Sequence, residues 1–335
     1  MDKPTVQDIF HHFYPAYLDQ YSPSPVQAKV AHNIMNCKTG AYGANVCVCE
    51  DCGFIQIHYN SCRNRCCPMC QAVPKEMWMD ARREDVLDAP YFHLVFTVPD
   101  ILNPVIYSNQ RLLYDALYHA ASSTISELTA DPKHLGAKVG YICILHTWGS
   151  EMNFHPHIHT ILLGGGLASN NQWKDNGENF FLPIRVISKV FRGKYLEELK
   201  RLWEEDKLVF HGTAEKFRNH YTFKELLDSC YGMDWIPHCK KTFNGAQTVM
   251  KYLGKYTHRI AVSNHRIVRM DDDTVTFLVK DYRNEGQWKE LTISGVEFVR
   301  RFLMHVPPRR FVRIRHYGLL CSCLLYTSDA ADDRI

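Results

Sequence analysis

The shortages in this sequence narrow its class first. No apolar run approaches the ~20 residues a membrane-spanning helix needs, so the chain offers no spanning segment. Its opening, Met1-Asp2-Lys3-Pro4-Thr5, has neither the basic nor the apolar stretch of a secretory signal. Charge of one sign is not in excess: 39 Lys and Arg against 36 Asp and Glu leave +3 over 335 residues. That sum is too small to identify a nucleic-acid partner, so the distribution of charge matters more. Cysteine is sparse over most of the chain. Of 13, only Cys143, Cys230, Cys239, Cys321 and Cys323 lie beyond residue 70. An odd total with pairs at C-x2-C spacing and no export signal argues against a disulfide framework and for metal, in a cytoplasmic protein. Repeated βα units are not evident either, which disfavours a (β/α)8 metal hydrolase of the amidohydrolase type.

The other eight cysteines fall between Cys37 and Cys70. Cys49-x2-Cys52, followed by Gly53, and Cys67-x2-Cys70, with Pro68 inside it, form two knuckles. Each offers two thiolates from one turn, and two such turns close a tetrahedral site. The expected structural Zn2+ ligands are Cys49, Cys52, Cys67 and Cys70, with Cys62 and Cys66 as further candidates. Phe54 to Tyr59 alternates like one arm of a hairpin. Arg63, Arg65, Lys75 and Arg82 surround the knuckles, so the module reads as DNA-contacting as well as a staple for a small core.

Helical spacing covers residues 7–36, where Ser24-Pro25 supplies a cap and a first-turn proline. A connecting helix is expected over 74–88. Tyr91 to Val98 and Tyr141 to His146 are buried strands by pattern, and Leu112 to Ala121 and Phe191 to Trp203 are helices. Strands are expected over 260–267 and 275–279, and Leu291 to Phe298 is expected to open a helix running to Met304.

The chain is organised around His155-Pro156-His157-Ile158-His159, which runs through Thr160 to Leu163 into Gly164-Gly165-Gly166. Alternate residues of a strand share a face, so His155, His157 and His159 can present imidazoles together while Ile158 points away. Two or three neutral imidazoles on one face make a divalent-metal site. The glycine triplet is expected to end the strand. For a third ligand His155 comes first by strand phase, with Glu151 and His146 behind it.

A second chemical stretch runs from Thr242 to Arg259. Tyr252 and Tyr256 lie four apart, on one helix face, among Lys251, Lys255, His258 and Arg259. Nearby cations favour a phenolate and would hold a phosphate for attack, although such a pair alone is more often packing. Towards the end, Arg300, Arg301, Arg309, Arg310, Arg313 and Arg315 alternate with Phe302, Phe311 and Tyr317, which suits phosphate contact and base stacking.

Taken together, these motifs resemble the rolling-circle insertion-sequence transposases, two-tyrosine HUH endonucleases with an N-terminal zinc-binding domain. The resemblance rests on Tyr59-Asn60-Ser61-Cys62-Arg63-Asn64-Arg65 with Cys67-Pro68-x-Cys70, and on His146-Thr147-Trp148-Gly149 through His157-Ile158-His159 to the glycines. It extends over Tyr252-Leu253-x-x-Tyr256-Thr257-His258-Arg259 and Arg313-Ile314-Arg315-His316-Tyr317-Gly318, in the family's order and nearly to residue 320. It implies an α+β fold with a central antiparallel sheet and helices packed on it, preceded by helices and a small zinc-ribbon-like module. It implies that His157 and His159 hold Mg2+ or Mn2+ against the scissile phosphate of single-stranded DNA, with His155 the third ligand that strand phase favours. Tyr252 or Tyr256 would attack to give a 5′-phosphotyrosine. Arg63, Arg65, Lys251, Lys255, Arg259, Arg313 and Arg315 would contact transposon-end and target DNA, with no membrane involved. The chain departs from the family at Cys66, where His is usual.

The expected division is a zinc-binding region over 1–88, a catalytic domain over 89–320, and a non-native or disordered tail over 321–335. That tail shares no pattern with the rest and looks like translated adaptor sequence. The competing readings are the amidohydrolase already mentioned and a zinc-ribbon DNA-binding protein that has lost catalysis.

Overall fold

The computed structural model describes residues 3–82, 86–87, 89–175, 180, 182–235, 237–243, 254, 260–281 and 286–321. In chain order the elements are α1 (Val6–Gln20), α2 (Pro25–Met35), β1 (Ala44–Val48), β2 (Ile55–Tyr59), α3 (Ala72–Arg82), β3 (Tyr91–Thr97), α4 (Asn103–Ser108) and α5 (Gln110–Ala130). There follow β4 (Lys138–Trp148), β5 (Phe154–Leu167), β6 (Trp173–Asp175), α6 (Ile184–Glu204), α7 (His220–Gly232) and β7 (His238–Phe243). The last are β8 (Ile267–Met270), β9 (Thr274–Asp281), β10 (Gln287–Ser294), α8 (Gly295–Met304) and β11 (Ile314–Gly318). The architecture is α+β, with antiparallel sheets and packed helices. No described helix is long and apolar enough to cross a membrane.

The described residues gather into two units that alternate along the chain. The first draws on 1–77, 148–154 and 258–309, the second on 78–147, 155–257 and 310–335. The sequence-based division was continuous, whereas these units are not. The physical reason lies in the first unit's core. Val6, Phe10 and Phe13 of α1 bury themselves with Phe298 and Phe302 of α8 and Phe277 of β9, so the N-terminal helices share a core with a late segment of the chain. The Phe10 and Phe302 rings meet edge-on at 5.2 Å, and Phe277 and Phe298 at 5.6 Å. Capping boxes start α1 at Thr5 and α2 at Ser24, each satisfying backbone N–H groups that the first helical turn leaves open.

Two boundaries here differ from expectation. Strand structure begins at Ile267 instead of 260, after a short 3-10 turn over Asn264–Arg266. Residues Gln287–Ser294 are a strand paired with β9, and the helix begins only at Gly295, where the Ser294 hydroxyl accepts from the Glu297 N–H. The alternation of Leu291 and Ile293 is the strand signal that the following helical pattern obscured.

His305, just after α8, is 7% exposed, and its Nε2–H donates to Met152 O at 2.9 Å. Burial pushes its pKa down to about 4, and the nearby Arg300 and Arg301 charges act in the same direction. The folded chain therefore binds fewer protons than the unfolded one between the lowered value and the ordinary ~6.5, so stability falls as pH drops through that window. The loss expected from this group by about pH 4 is roughly 3 kcal/mol. Urea midpoints measured from pH 7 to pH 4.5 should fall less steeply for His305→Gln than for the native chain.

The second unit is built on a sheet of order β11-β4-β5-β3-β7, with β6 paired to β5. β5 pairs antiparallel with β3 (Val95 opposite His159), and β11 with β4 (Ile314 opposite Ile144). One face carries Phe92, Phe96, Ile158 and Leu162, all buried, with Phe96 packed on Phe191 of α6 at 4.9 Å. The other face begins as an apolar cluster of Tyr91, Ile142, Ile144, Ile161 and Leu163 and, further along the same strands, becomes a group of histidines. The parallel barrel that an amidohydrolase requires is not what these residues form.

The glycine triplet does not end β5, which runs on to Leu167. A Cβ on Gly164 would lie 2.8 Å from Pro90 O, and one on Gly166 would collide with Lys138 O. These glycines let neighbouring backbone come close within the sheet, which is the other use of glycine in a strand.

Candidate metal centres

Cys37, Cys62, Cys67 and Cys70 place four sulfurs within 4.8 Å of one another in the first unit. Cys37 follows α2 directly, and the other three come from the loop before α3. Sγ of Cys70 lies 3.5 Å from that of Cys37 and 3.6 Å from that of Cys62. The edge of a tetrahedral Zn–S4 site with ~2.3 Å bonds is about 3.8 Å, so the donor set fits zinc with little movement. Backbone N–H groups already point at the sulfurs: Cys62 N–H donates to Cys37 Sγ and Asn64 N–H to Cys62 Sγ. The Cys67 thiol donates to Cys62 and holds its pKa down to about 5, while Cys67 is itself pushed far up by that bond and by burial. Burial likewise pushes Cys37 up to about 11. A bound Zn2+ would displace the protons that the raised Cys37 and Cys67 thiols hold.

The structure brings together only part of the expected ligand set. Cys67 and Cys70 are in the group and Cys62 joins them, but Cys49 and Cys52 do not. These two lie exposed at the tip of the β1–β2 hairpin, where Gly53 N–H donates to Cys49 O at 2.9 Å. There the Cys52 and Asp51 N–H groups lower the Cys49 pKa. Cys66 is buried, its N–H donating to Asn64 Oδ1 at 2.8 Å, and its sulfur is not one of the four. Cys37 belongs to no C-x2-C pair. The only sequence signal for it was membership of the cysteine-rich segment, since its position is set by the close of α2.

In the second unit, His146 of β4 and His157 and His159 of β5 bring a ring nitrogen each within 4.8 Å of the others. Nε2 of His157 and Nε2 of His159 are 3.1 Å apart. Nδ1–H of His157 donates to His155 O at 2.7 Å, and Nδ1 of His159 is 2.9 Å from His93 Nε2. With both Nδ1 atoms engaged, the two Nε2 atoms converge, and the set fits a divalent ion.

His155 is not in this group. Its Nδ1 sits 3.2 Å from Asp100 Oδ1. A strand advances about 3.4 Å per residue, so His155 stands roughly 13 Å from His159 along β5, at the far side of His157. The neighbouring strand, at about 4.8 Å, supplies the third imidazole instead.

The basic residues separate into three kinds. Arg63 is exposed with a left-handed backbone (φ 53°), and Arg65 donates to Pro308 O at 3.0 Å. Arg313 O accepts the Leu145 N–H at 3.0 Å, which ties β11 to β4. Arg315 is bound to Asp115 and lies 4.0 Å over the Tyr118 ring. Tyr252, Tyr256, Lys251, Lys255 and Arg259 lie outside the described residues, as does the tail from 322.

Residues 140–325 match the family model described as "Putative transposase", and residues 9–98 match that described as "Transposase zinc-binding domain". The chain is 41% identical over 319 residues to "Putative transposase y4qJ" of Sinorhizobium fredii (strain NBRC 101917 / NGR234), covering 95% of this chain and 80% of that protein. It is 30% identical over 302 residues to "Transposase for insertion sequence element IS801" of Pseudomonas savastanoi pv. phaseolicola, covering 89% and 71%. Among solved structures, the metal-free complex of conjugative relaxase TrwC with OriT DNA is similar at TM-score 0.28 and 17% identity, over 33% of this chain and 44% of that one. The metal-bound complex gives TM-score 0.25 and 19% identity, over 33% and 43%.

Proposed function

This chain belongs to the insertion-sequence transposase family of the IS91 and IS801 type, with an N-terminal zinc-binding domain, and from that membership we propose that it nicks and rejoins single-stranded DNA through a tyrosine nucleophile. The observation that carries the reading is the convergence of His146, His157 and His159 in a chain of this family. In the proposed reaction the hydroxyl oxygen of Tyr252 or Tyr256 attacks phosphorus at the element's end. The P–O3′ bond breaks, the leaving oxygen takes up a proton as a free 3′-OH, and the 5′-phosphate stays on the phenol. One phosphodiester replaces another, so a later 3′-OH can reverse the exchange on a new strand. Two tyrosines permit a second transfer before the first is released, which suits rolling-circle transposition. A Mg2+ or Mn2+ ion held by the three histidines would supply positive charge where the phosphate develops negative charge.

The catalytic role is assigned within 89–320, and the Cys37–Cys62–Cys67–Cys70 group is assigned structural Zn2+. Arg63, Lys251, Lys255 and Arg259 are the proposed contacts to single-stranded DNA at transposon ends and target, and the work is placed in the cytoplasm.

The test uses single-stranded oligonucleotides from the element's ends, labelled at 5′ or 3′, with Mg2+ or Mn2+. The expected result is a denaturant-resistant adduct that carries the 3′ label and releases a 5′-labelled fragment ending in 3′-OH. It should survive Tyr252→Phe or Tyr256→Phe in part and vanish in the double variant. Cleavage that persists without both tyrosines would identify a water-using nuclease instead.

A further inference from the structure

We propose that His93 is a positioning residue for the histidine centre: its Nε2 accepts the Nδ1–H of His159 and thereby holds His159 with Nε2 unprotonated and aimed at the ion. The inference rests on the reading that His146, His157 and His159 hold a divalent ion. His93 lies in the middle of β3 and is 4% exposed. Val95 stands opposite His159 and His93 opposite Ile161, so His93 is the diagonal neighbour of His159 on the histidine face. The two rings lie 5.1 Å apart and within 15° of parallel, with the His93 Nε2 to His159 Nδ1 distance at 2.9 Å.

Between two neutral imidazoles one nitrogen donates and the other accepts, which leaves two arrangements. If His93 Nε2–H donates, His159 carries its own proton on Nε2, the atom that faces His157 Nε2 at 3.1 Å, and it cannot ligate. If His159 Nδ1–H donates, its Nε2 presents a lone pair to an ion. Only the second arrangement makes a ligand. It then requires His93 to keep its proton on Nδ1, so the tautomers of the two residues are set together. On His157 the same task falls to backbone, because Nδ1–H donates to His155 O at 2.7 Å. Both ligands of the His-x-His pair are thus turned the same way, one by a carbonyl and one by a buried histidine from the next strand. A group that fixes the tautomer of a ligand in this way typically alters metal affinity about 10–100-fold when lost.

The test has two parts. In the native chain with Mg2+ bound, long-range 15N–1H spectra of the imidazoles should show His159 protonated at Nδ1 and His93 unprotonated at Nε2; the reverse pattern overturns the proposal without any variant. Free Mn2+, followed by its EPR signal during titration, then gives the affinity. His93→Phe should weaken Mn2+ binding about 10–100-fold, and His93→Gln, whose side-chain carbonyl can accept the same proton, should recover most of it. Native affinity in His93→Phe would overturn the assignment. If the native chain itself takes up no Mn2+, the three-histidine reading fails, an outcome distinct from failure of the role given to His93.

Discussion

His146→Ala is expected to lower cleavage of single-stranded DNA by roughly a hundredfold to a thousandfold, the size seen when a group that stabilises transition-state charge is removed. His155→Ala should stay within about tenfold of the native rate, since a side chain outside the converging set supplies none of that charge. The contrast follows from position. His146 stands on β4 beside the His157–His159 pair and is 3% exposed, whereas His155 is turned to Asp100. Raising Mn2+ should partly restore His146→Ala, because two ligands remain to bind the ion more weakly. Single-turnover cleavage of a labelled end oligonucleotide at several Mn2+ concentrations measures both effects. Equal losses in the two variants would show that His155 joins the ion in the DNA complex.

The second large effect concerns zinc. Cys37→Ser should remove one zinc ion per chain and the cooperative unfolding of the first unit, while Cys49→Ser should leave that ion in place. A structural Zn–S4 site supplies roughly 10–16 kcal/mol in small zinc modules, comparable to the whole stability of an ordinary domain at about 5–15 kcal/mol. Cys37 and Cys67 are themselves part of the first unit's core, so loss of the ion is felt by that core. Elemental zinc per chain and a thermal melt decide the matter. Loss of the ion from Cys49→Ser, with retention in Cys37→Ser, would reinstate the pairing read from C-x2-C spacing.

These two cases also mark what was legible in the sequence. Patterns carried by one element were. Tyr91 to Val98 gave β3 to within a residue of Tyr91–Thr97, and the alternating histidines gave a ligand-bearing strand. Contacts set by the neighbouring strand or by a distant turn were not. His155 shares the phase of His157 and His159, but phase ignores the distance that separates i from i+4. His146 on β4 was a candidate third ligand ranked behind His155, and only the pairing of strands brings it forward; His93 on β3 carried no signal within His155 to His159. Cys37 joins three cysteines from a later loop because α2 ends there, a fact of packing without a local motif. Arg315 belonged to a basic run, yet Asp115 and Tyr118, far away in sequence, claim its guanidinium. The alternation of units along the chain was hidden for the same reason, since α1 and α8 are distant in sequence and meet in a shared core.

The most direct test of the histidine centre is anomalous diffraction at the manganese edge from crystals grown with Mn2+ and an end oligonucleotide carrying an uncleavable phosphate. The expected result is one peak bounded by His146, His157 and His159, with Nε2 of the last two as donors and phosphate oxygen on the open side. A peak held instead by His155 and Asp100, with the three histidines unligated, would contradict the account.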